Sequence, residues 1–334
     1  MPPYSGAARG PERVLLIQLR RIGDAVLVTP ALDALGDAWP AARIHLLTGE
    51  PIPGLFRGDG RVHAVWPRPR RRDLFGLSRA LRAERFDLCL DFQSLPWTAL
   101  LARRTGAFTV GFARTYRNAV YHRAVRLEDH RGSDYAADHK LDLLRAVGLA
   151  PRLTPPRLVP PPPSEDAWRG AGERPRVALV PVSRRAHKRW GFAAFAETAR
   201  LLHRETGACF LIAGGPGEPE PLAAVAGELS GIPHAIRIFT ELPAFAAALA
   251  ASDLFLGNDN GPRHLAVALG RPTVAYFGTQ NPTHWTPPGD DRHCVLWDPR
   301  RASGRPVRGD LRLVPDRPEE AAAAAAALLE PVRR

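Results

Sequence analysis

The chain is poor in residues that would staple it. Of its 334 residues, three are cysteine (Cys89, Cys209 and Cys294) and one is methionine. The cysteines lie far apart, without CxxC or Cys/His metal spacing, so neither a disulfide framework nor a zinc site is suggested. Each sits in an apolar run, as core filler does in a reducing compartment. No run approaches the roughly 18 to 20 apolar residues of a membrane span. The segment from Met1 to Glu12, rich in Pro, Gly, Ala and Arg, lacks the apolar stretch of a secretory signal. A soluble cytoplasmic protein is expected. Solenoid repeats are also missing. Acidic residues are outnumbered, 34 against 46 Lys+Arg, for a net charge of +12. That balance favours an anionic partner: nucleic acid, an anionic membrane face or a phosphorylated substrate. Abundant Arg, Ala and Pro can also reflect genomic base composition, so the charge narrows the partner no further.

What is present is an apolar share of 45%, which excludes general disorder. The length is long for one core and comfortable for two domains. Arg13 to Leu19 is a continuous apolar run of strand length, followed by Arg20-Arg21-Ile22-Gly23-Asp24 and a helical pattern from Ala25 to about Leu35. Further strands are read at Arg43 to Leu47, Val62 to Trp66, Phe86 to Phe92 and Thr109 to Phe112, with helices near Leu74 to Glu84 and Leu95 to Arg103. Strands alternating with helices predict a doubly wound α/β domain, with ligands at the carboxyl ends of its strands. Arginines gather between these elements: Arg68, Arg70, Arg71 and Arg72; Arg103 and Arg104; Arg114, Arg117, Arg123 and Arg126. Each cluster is either a solvated face or part of a surface that pairs bidentately with phosphate.

Leu149 to Glu165 is proline-dense and reads as a stiff extended linker, hence a boundary near residue 160. Domains 1–160 and 161–334 are expected. The second opens with a strand at Arg176 to Val182, a basic loop from Ser183 to Trp190 and a helix to about Glu205. A strand at Ala208 to Ala213 exits through Gly214-Gly215-Pro216-Gly217-Glu218, which lacks GxGxxG spacing. A short strand at Ile236 to Phe239 and a helix at Pro243 to Ala251 follow. An alanine-rich helix at about 318–330 closes the chain, packing on the body or back on the N-terminal domain.

The densest pattern is Asp253 to Leu256, a strand; Gly257-Asn258-Asp259-Asn260-Gly261, a polar turn; a helix opened by Pro262; and a strand at Thr273 to Phe277. This βαβ unit offers a phosphate the helix N-terminus at Asn260-Gly261, with Asp259 and His264 beside it. A structural N-cap and a structural first-turn histidine explain the same residues. Asp24 has two readings as well, a helix N-cap or a carboxylate that accepts a proton from a hydroxyl. Lys188 is either solvated surface or a cation facing a leaving diphosphate.

Several segments carry a family resemblance. Residues 257–278 resemble the signature of the glycosyltransferase family 9 heptosyltransferases, D-S-G-P-M-H-L-A-A-A-L-G-x-P-x-V-A-L-F-G, with Asn260 for the usual Ser or Thr and Arg263 for the usual Met. Leu19 to Leu32 resembles the opening motif R-x-x-x-G-D, and Asp91-Phe92-Gln93 the D-x-Q of the fourth strand. Lys188-Arg189-Trp190 matches the family's K-R-W, whereas Val180 to Ser183 matches its H-P-G-A-S poorly. Gln280-Asn281 replaces a usual Thr-Asp in the loop running to Gly289.

The resemblance implies a GT-B-like fold, two Rossmann-like domains with a central cleft, and inverting heptose transfer from ADP-heptose to a lipopolysaccharide inner-core acceptor. Asp24 would be the base and Lys188 the leaving-group cation. Ser183, Lys188, Glu218 (on the ribose), Asp259, Asn260, Gly261 and His264 would bind donor; Arg20, Arg21, Asp91 and Gln93 would bind acceptor. No metal and no cofactor beyond the nucleotide-sugar substrate is implied. The partners would be that sugar, a phosphorylated glycolipid and, peripherally, the inner face of an anionic membrane, with no specific nucleic acid. Two alternatives stay open: a family member using another nucleotide sugar or a protein or other glycan acceptor, and a non-catalytic nucleotide- or polyanion-binding protein.

Overall fold

The structure is a computed structural model and describes residues 10–68, 74–113, 119–298, 300 and 307–330. Arg70, Arg71, Arg72, Arg114 and Arg117 lie outside the described residues. The chain divides into two compact units, Met1–Val159 and Pro160–Arg334.

The first unit runs β1 (Arg13–Ile17), α1 (Ile22–Val26), α2 (Thr29–Ala38), β2 (Arg43–Thr48), β3 (Ala64–Pro67), α3 (Leu74–Ala83), β4 (Leu88–Asp91), α4 (Pro96–Arg104), β5 (Phe108–Phe112), β6 (Arg123–Val125) and α5 (Ala136–Arg145). Its six strands form one parallel sheet in the order β3-β2-β1-β4-β5-β6. The order reverses between β1 and β4, which opens a crevice at their carboxyl ends. Val14 to Ile17 and Leu88 to Leu90 are wholly buried, as strands covered on both faces must be.

The single helix expected from Ala25 to Leu35 is two helices. Pro30 has no N–H for a continuous ladder, so α1 stops and α2 restarts around it. Thr29 Oγ1 closes the break by donating to the Val26 carbonyl at 2.7 Å.

The second unit runs β7 (Arg176–Val180), α6 (Phe192–Thr206), β8 (Cys209–Gly214), α7 (Pro219–Gly227), β9 (His234–Ile238), α8 (Leu242–Ala250), β10 (Leu254–Asn258), α9 (Gly261–Ala268), β11 (Thr273–Phe277), β12 (His293–Trp297), β13 (Leu313–Val314) and α10 (Pro318–Leu329). Its parallel sheet has the order β13-β12-β11-β10-β7-β8-β9, reversing between β7 and β10. The fold is thus two doubly wound sheets, a GT-B-like architecture. The terminal helix α10 lies against α6, with further contacts to β10, β11 and β13 of its own unit. Its small alanines allow that close approach.

The proline-dense segment is docked rather than free. Arg157 N–H donates to Thr29 Oγ1 at 3.0 Å and its guanidinium pairs with Asp33 at 2.6 Å. Ser164 N–H reaches the Ala247 carbonyl at 3.1 Å. No helix among the described residues is long and apolar enough to cross a membrane.

Candidate active site

Two groups of polar residues stand at the two switch points. In the first unit, the turn after β1 carries Arg20, Arg21 and Asp24. Asp24 is the third residue of α1, not its N-cap: Arg21 holds that position, and its N–H donates to Asp24 Oδ2 at 3.3 Å. The carboxylate keeps about a third of its side-chain surface exposed, at 35%. The Arg20 and Arg21 side chains are exposed on the same turn, so all three are open to solvent.

Gln93, on the turn after β4, is a brace for this loop. Its Oε1 accepts the Arg20 N–H at 2.9 Å, the Leu19 N–H at 3.2 Å and Gln18 Nε2 at 3.2 Å. Asp91 departs further from expectation. It has no exposed surface, and its oxygens accept from Ser94 N–H at 2.9 Å, Gln93 N–H at 3.1 Å and the Tyr121 hydroxyl at 2.8 Å. Burial pushes its acid constant up to about 6, opposed by those hydrogen bonds. Asp91 therefore anchors the turn that carries Gln93, and an acceptor has no surface of it to touch.

Lys140 belongs to this group too, although no motif in the sequence marks it. It lies on α5, a helix whose Asp138, Lys140 and Asp142 are all buried and so hide the usual helical pattern. Lys140 Nζ donates to Gln18 Oε1 at 2.9 Å and stands 3.9 Å from Asp24 Oδ1. Burial pulls its acid constant down, and Asp24 opposes that pull.

In the second unit, Lys188 and Asp259 meet across the switch point. Lys188 Nζ donates to Asp259 Oδ2 at 2.7 Å, with Asp259 almost wholly buried. His264 Nε2 is 4.0 Å from the other carboxylate oxygen, and the Trp285 ring lies 6.0 Å from Lys188 Nζ. Asn260 caps α9: its Oδ1 accepts the Arg263 N–H at 3.1 Å while its Nδ2 donates to the Val182 carbonyl at 2.9 Å. Pro262 has no N–H, so the Gly261 N–H is the first-turn donor left for a ligand oxygen. Ser183 is buried at the start of the loop, where its carbonyl accepts Arg189 Nε at 2.6 Å. Glu218 lies at the exit of β8, its Oε2 accepting the Gly215 N–H at 2.8 Å.

Two further residues hold this group in place. Asn258 accepts the Trp190 N–H and donates to the Pro181 carbonyl, both at 2.8 Å, tying the two ends of the basic loop together. Arg263, the departure from the family's Met, is buried. It donates to the Trp285 carbonyl at 3.0 Å and Thr286 Oγ1 at 2.9 Å, and stacks 4.8 Å from the Phe277 ring centroid. It secures the segment that carries Trp285. Among the described residues, no group of three or more His, Cys, Asp or Glu side chains is placed to hold a metal ion.

A lysine with three N–H groups, one of them spent on Asp259, and a helix-end N–H suit an anionic oxygen, and an exposed carboxylate suits a hydroxyl. Each unit thus carries its own group of polar residues at the switch point of its sheet. Residues 74–308 match the sequence profile of glycosyltransferase family 9 (heptosyltransferase), and the chain belongs to that family. It is a glycosyltransferase. It is 23% identical over 301 residues to lipopolysaccharide heptosyltransferase 3 of Escherichia coli, covering 80% of this chain and 84% of that protein. It is 22% identical over 304 residues to lipopolysaccharide core heptosyltransferase OpsX of Haemophilus influenzae, covering 86% and 84%. Among solved structures, E. coli ADP-heptose lipopolysaccharide heptosyltransferase II shares its fold, with a TM-score of 0.75 and 21% identity over 96% of this chain and 100% of that one.

Proposed function

We propose that the protein transfers heptose from ADP-heptose to a lipopolysaccharide inner-core acceptor with inversion. Asp24 takes the proton from the acceptor hydroxyl, whose oxygen attacks the anomeric carbon as the bond to the diphosphate breaks. ADP leaves with its new charge facing Lys188 and the Gly261 N–H, a fixed arrangement that stabilises the transition state more than the ground state. Asp259 orients Lys188, His264 flanks the sugar side, Glu218 takes the ribose, and Arg20 and Arg21 hold anionic groups of the acceptor. The observation that carries this reading is the Lys188–Asp259 pair at 2.7 Å beside the capped N-terminus of α9. The activities of the named relatives supply the sugar and the acceptor.

A lipid-linked acceptor is supported by α3 and α4, which pack together and hold no Asp or Glu. They expose Arg79, Arg82, Arg103, Arg104 and Leu100, and Phe75 is 80% exposed. An anionic membrane surface presenting the acceptor matches that charge and apolar tip. A second reading, the same chemistry with another nucleotide sugar, is favoured by Gln280-Asn281 and by buried Arg263 where the family places Thr-Asp and Met.

Calorimetric titration with ADP, UDP and GDP tests the donor assignment. Selective ADP binding, weakened about tenfold or more by Lys188→Ala, supports it, a loss of about 1.4 kcal/mol. Preference for UDP or GDP discards ADP-heptose and keeps the transferase. Absence of all nucleotide binding overturns the reading.

A further inference from the structure

The buried ammonium of Lys140 is unexplained by donor or acceptor binding. It sits on α5, among Leu141, Leu143 and Leu144 of the same helix, all wholly buried, and 5.9 Å from the Phe92 ring centroid. Burying an ammonium is costly unless it is paired and hydrogen-bonded. Its partners are one neutral oxygen, Gln18 Oε1 at 2.9 Å, and one carboxylate, Asp24 Oδ1 at 3.9 Å. Gln18 in turn donates to the Arg20 carbonyl at 2.7 Å and to Gln93 Oε1. The ammonium is thus tied by hydrogen bonds to both ends of the turn that presents Asp24.

We propose that Lys140, acting with Gln18, is a positioning residue for Asp24: it fixes the carboxylate toward the acceptor hydroxyl. The inference rests on the reading of Asp24 as the base. Among the described residues, the groups facing Asp24 are Lys140 from α5 and, from its own turn, the Arg21 N–H. Gln18 and Gln93, on the turns after β1 and β4, are neutral. The Arg20 and Arg21 guanidinium groups are exposed and screened by solvent. When Asp24 accepts the proton, its attraction to Lys140 ends. Without Lys140 the carboxylate loses the buried cation that orients it.

The test combines Lys140→Met and Lys140→Arg with Asp24→Asn. In Lys140→Met, kcat should fall about tenfold or more, as for a base displaced by a fraction of an ångström. KM for the nucleotide sugar should not change, and Lys140→Arg should restore most of the loss. In denaturant unfolding, Asp24→Asn should shift the midpoint with Lys140 present and not with Met in its place. A coupled cycle supports the pairing. An additive cycle, or a kcat unchanged in Lys140→Met, with wild-type turnover intact overturns this inference alone. No transfer by the wild type overturns the functional reading, while a coupled cycle in that case still upholds the Lys140–Asp24 contact.

Discussion

Gly278, at the exit of β11, lies directly against the backbone of His187. A β-carbon there would overlap the His187 carbonyl oxygen and come within 3.4 Å of Lys188 Cα. The glycine lets the basic loop rest on the sheet edge, and that seating brings Lys188 Nζ within 2.7 Å of Asp259. A motif glycine in the family signature thus sets the position of a cation ninety residues earlier in the chain, roughly, through close backbone approach.

Gly278→Ala should lift the loop and separate Lys188 from Asp259. Because the obstacle is backbone, the cost is that of overpacking, about 1–3 kcal/mol of stability. Nucleotide affinity should fall with it. Denaturant unfolding and calorimetry of the variant check both. An alanine that leaves affinity at the wild-type value would contradict this role of the glycine.

Lys188→Ala should lower kcat by about 10²- to 10³-fold, as loss of one transition-state donor does. It should also cost about 3 kcal/mol of stability, because Asp259 is left buried without its cation. Lys188→Met with Asp259→Asn should recover the stability and none of the activity. Steady-state kinetics and urea unfolding of the single and double variants separate the two effects.

Arg263→Met restores the residue that the family usually carries, yet here it should destabilise. The Trp285 carbonyl and Thr286 hydroxyl would each lose a charged donor, worth about 1–3 kcal/mol together. Limited proteolysis should show earlier cleavage between residues 279 and 289, and unchanged protection there would count against the tether.

His293 gives the second unit an acid sensitivity. Burial, with Arg263 nearby, drives its acid constant from 6.5 down to about 3, against the pull of Asp290. The folded state therefore stays unprotonated where the unfolded chain takes a proton. Stability from this group is present above about pH 6.5 and is lost as pH falls toward 3, about 1.4 kcal/mol per pH unit within that window. Asp91 works the other way. Its constant is raised to about 6, so its contribution is complete below pH 3.8 and is lost as pH rises through 6. His293→Gln should flatten the acid side of the unfolding profile, and Asp91→Asn should steepen it. Unfolding midpoints between pH 4 and 7 read both slopes.

The parallel sheets were legible because strands buried on both faces are continuous apolar runs: Val14 to Ile17 and Val177 to Val180 are examples. The 257–278 segment was legible because Pro262, Asn260 and Gly270 punctuate one helix; Gly270 has a φ of +71°, as a helix end often requires. Helix α5 was hidden because its buried face carries Asp138, Lys140 and Asp142: the two acids pair with Arg145 of the same helix and with Ser133 and His130 of the preceding loop, and Lys140 with Gln18 and Asp24 far away in sequence. For the same reason the sequence named Asp91 and not Lys140: a motif marks which residues stand near a site, whereas burial decides which of them a ligand can touch.

The role of Asp24 as the base is tested most directly by heptose transfer from ADP-heptose to a heptose-deficient lipopolysaccharide core, wild type against Asp24→Ala, under conditions where both bind ADP equally. Transfer by the wild type is expected, with a kcat about 10²- to 10⁴-fold lower in the variant, as for loss of a general base. Turnover by Asp24→Ala near the wild-type rate would contradict it.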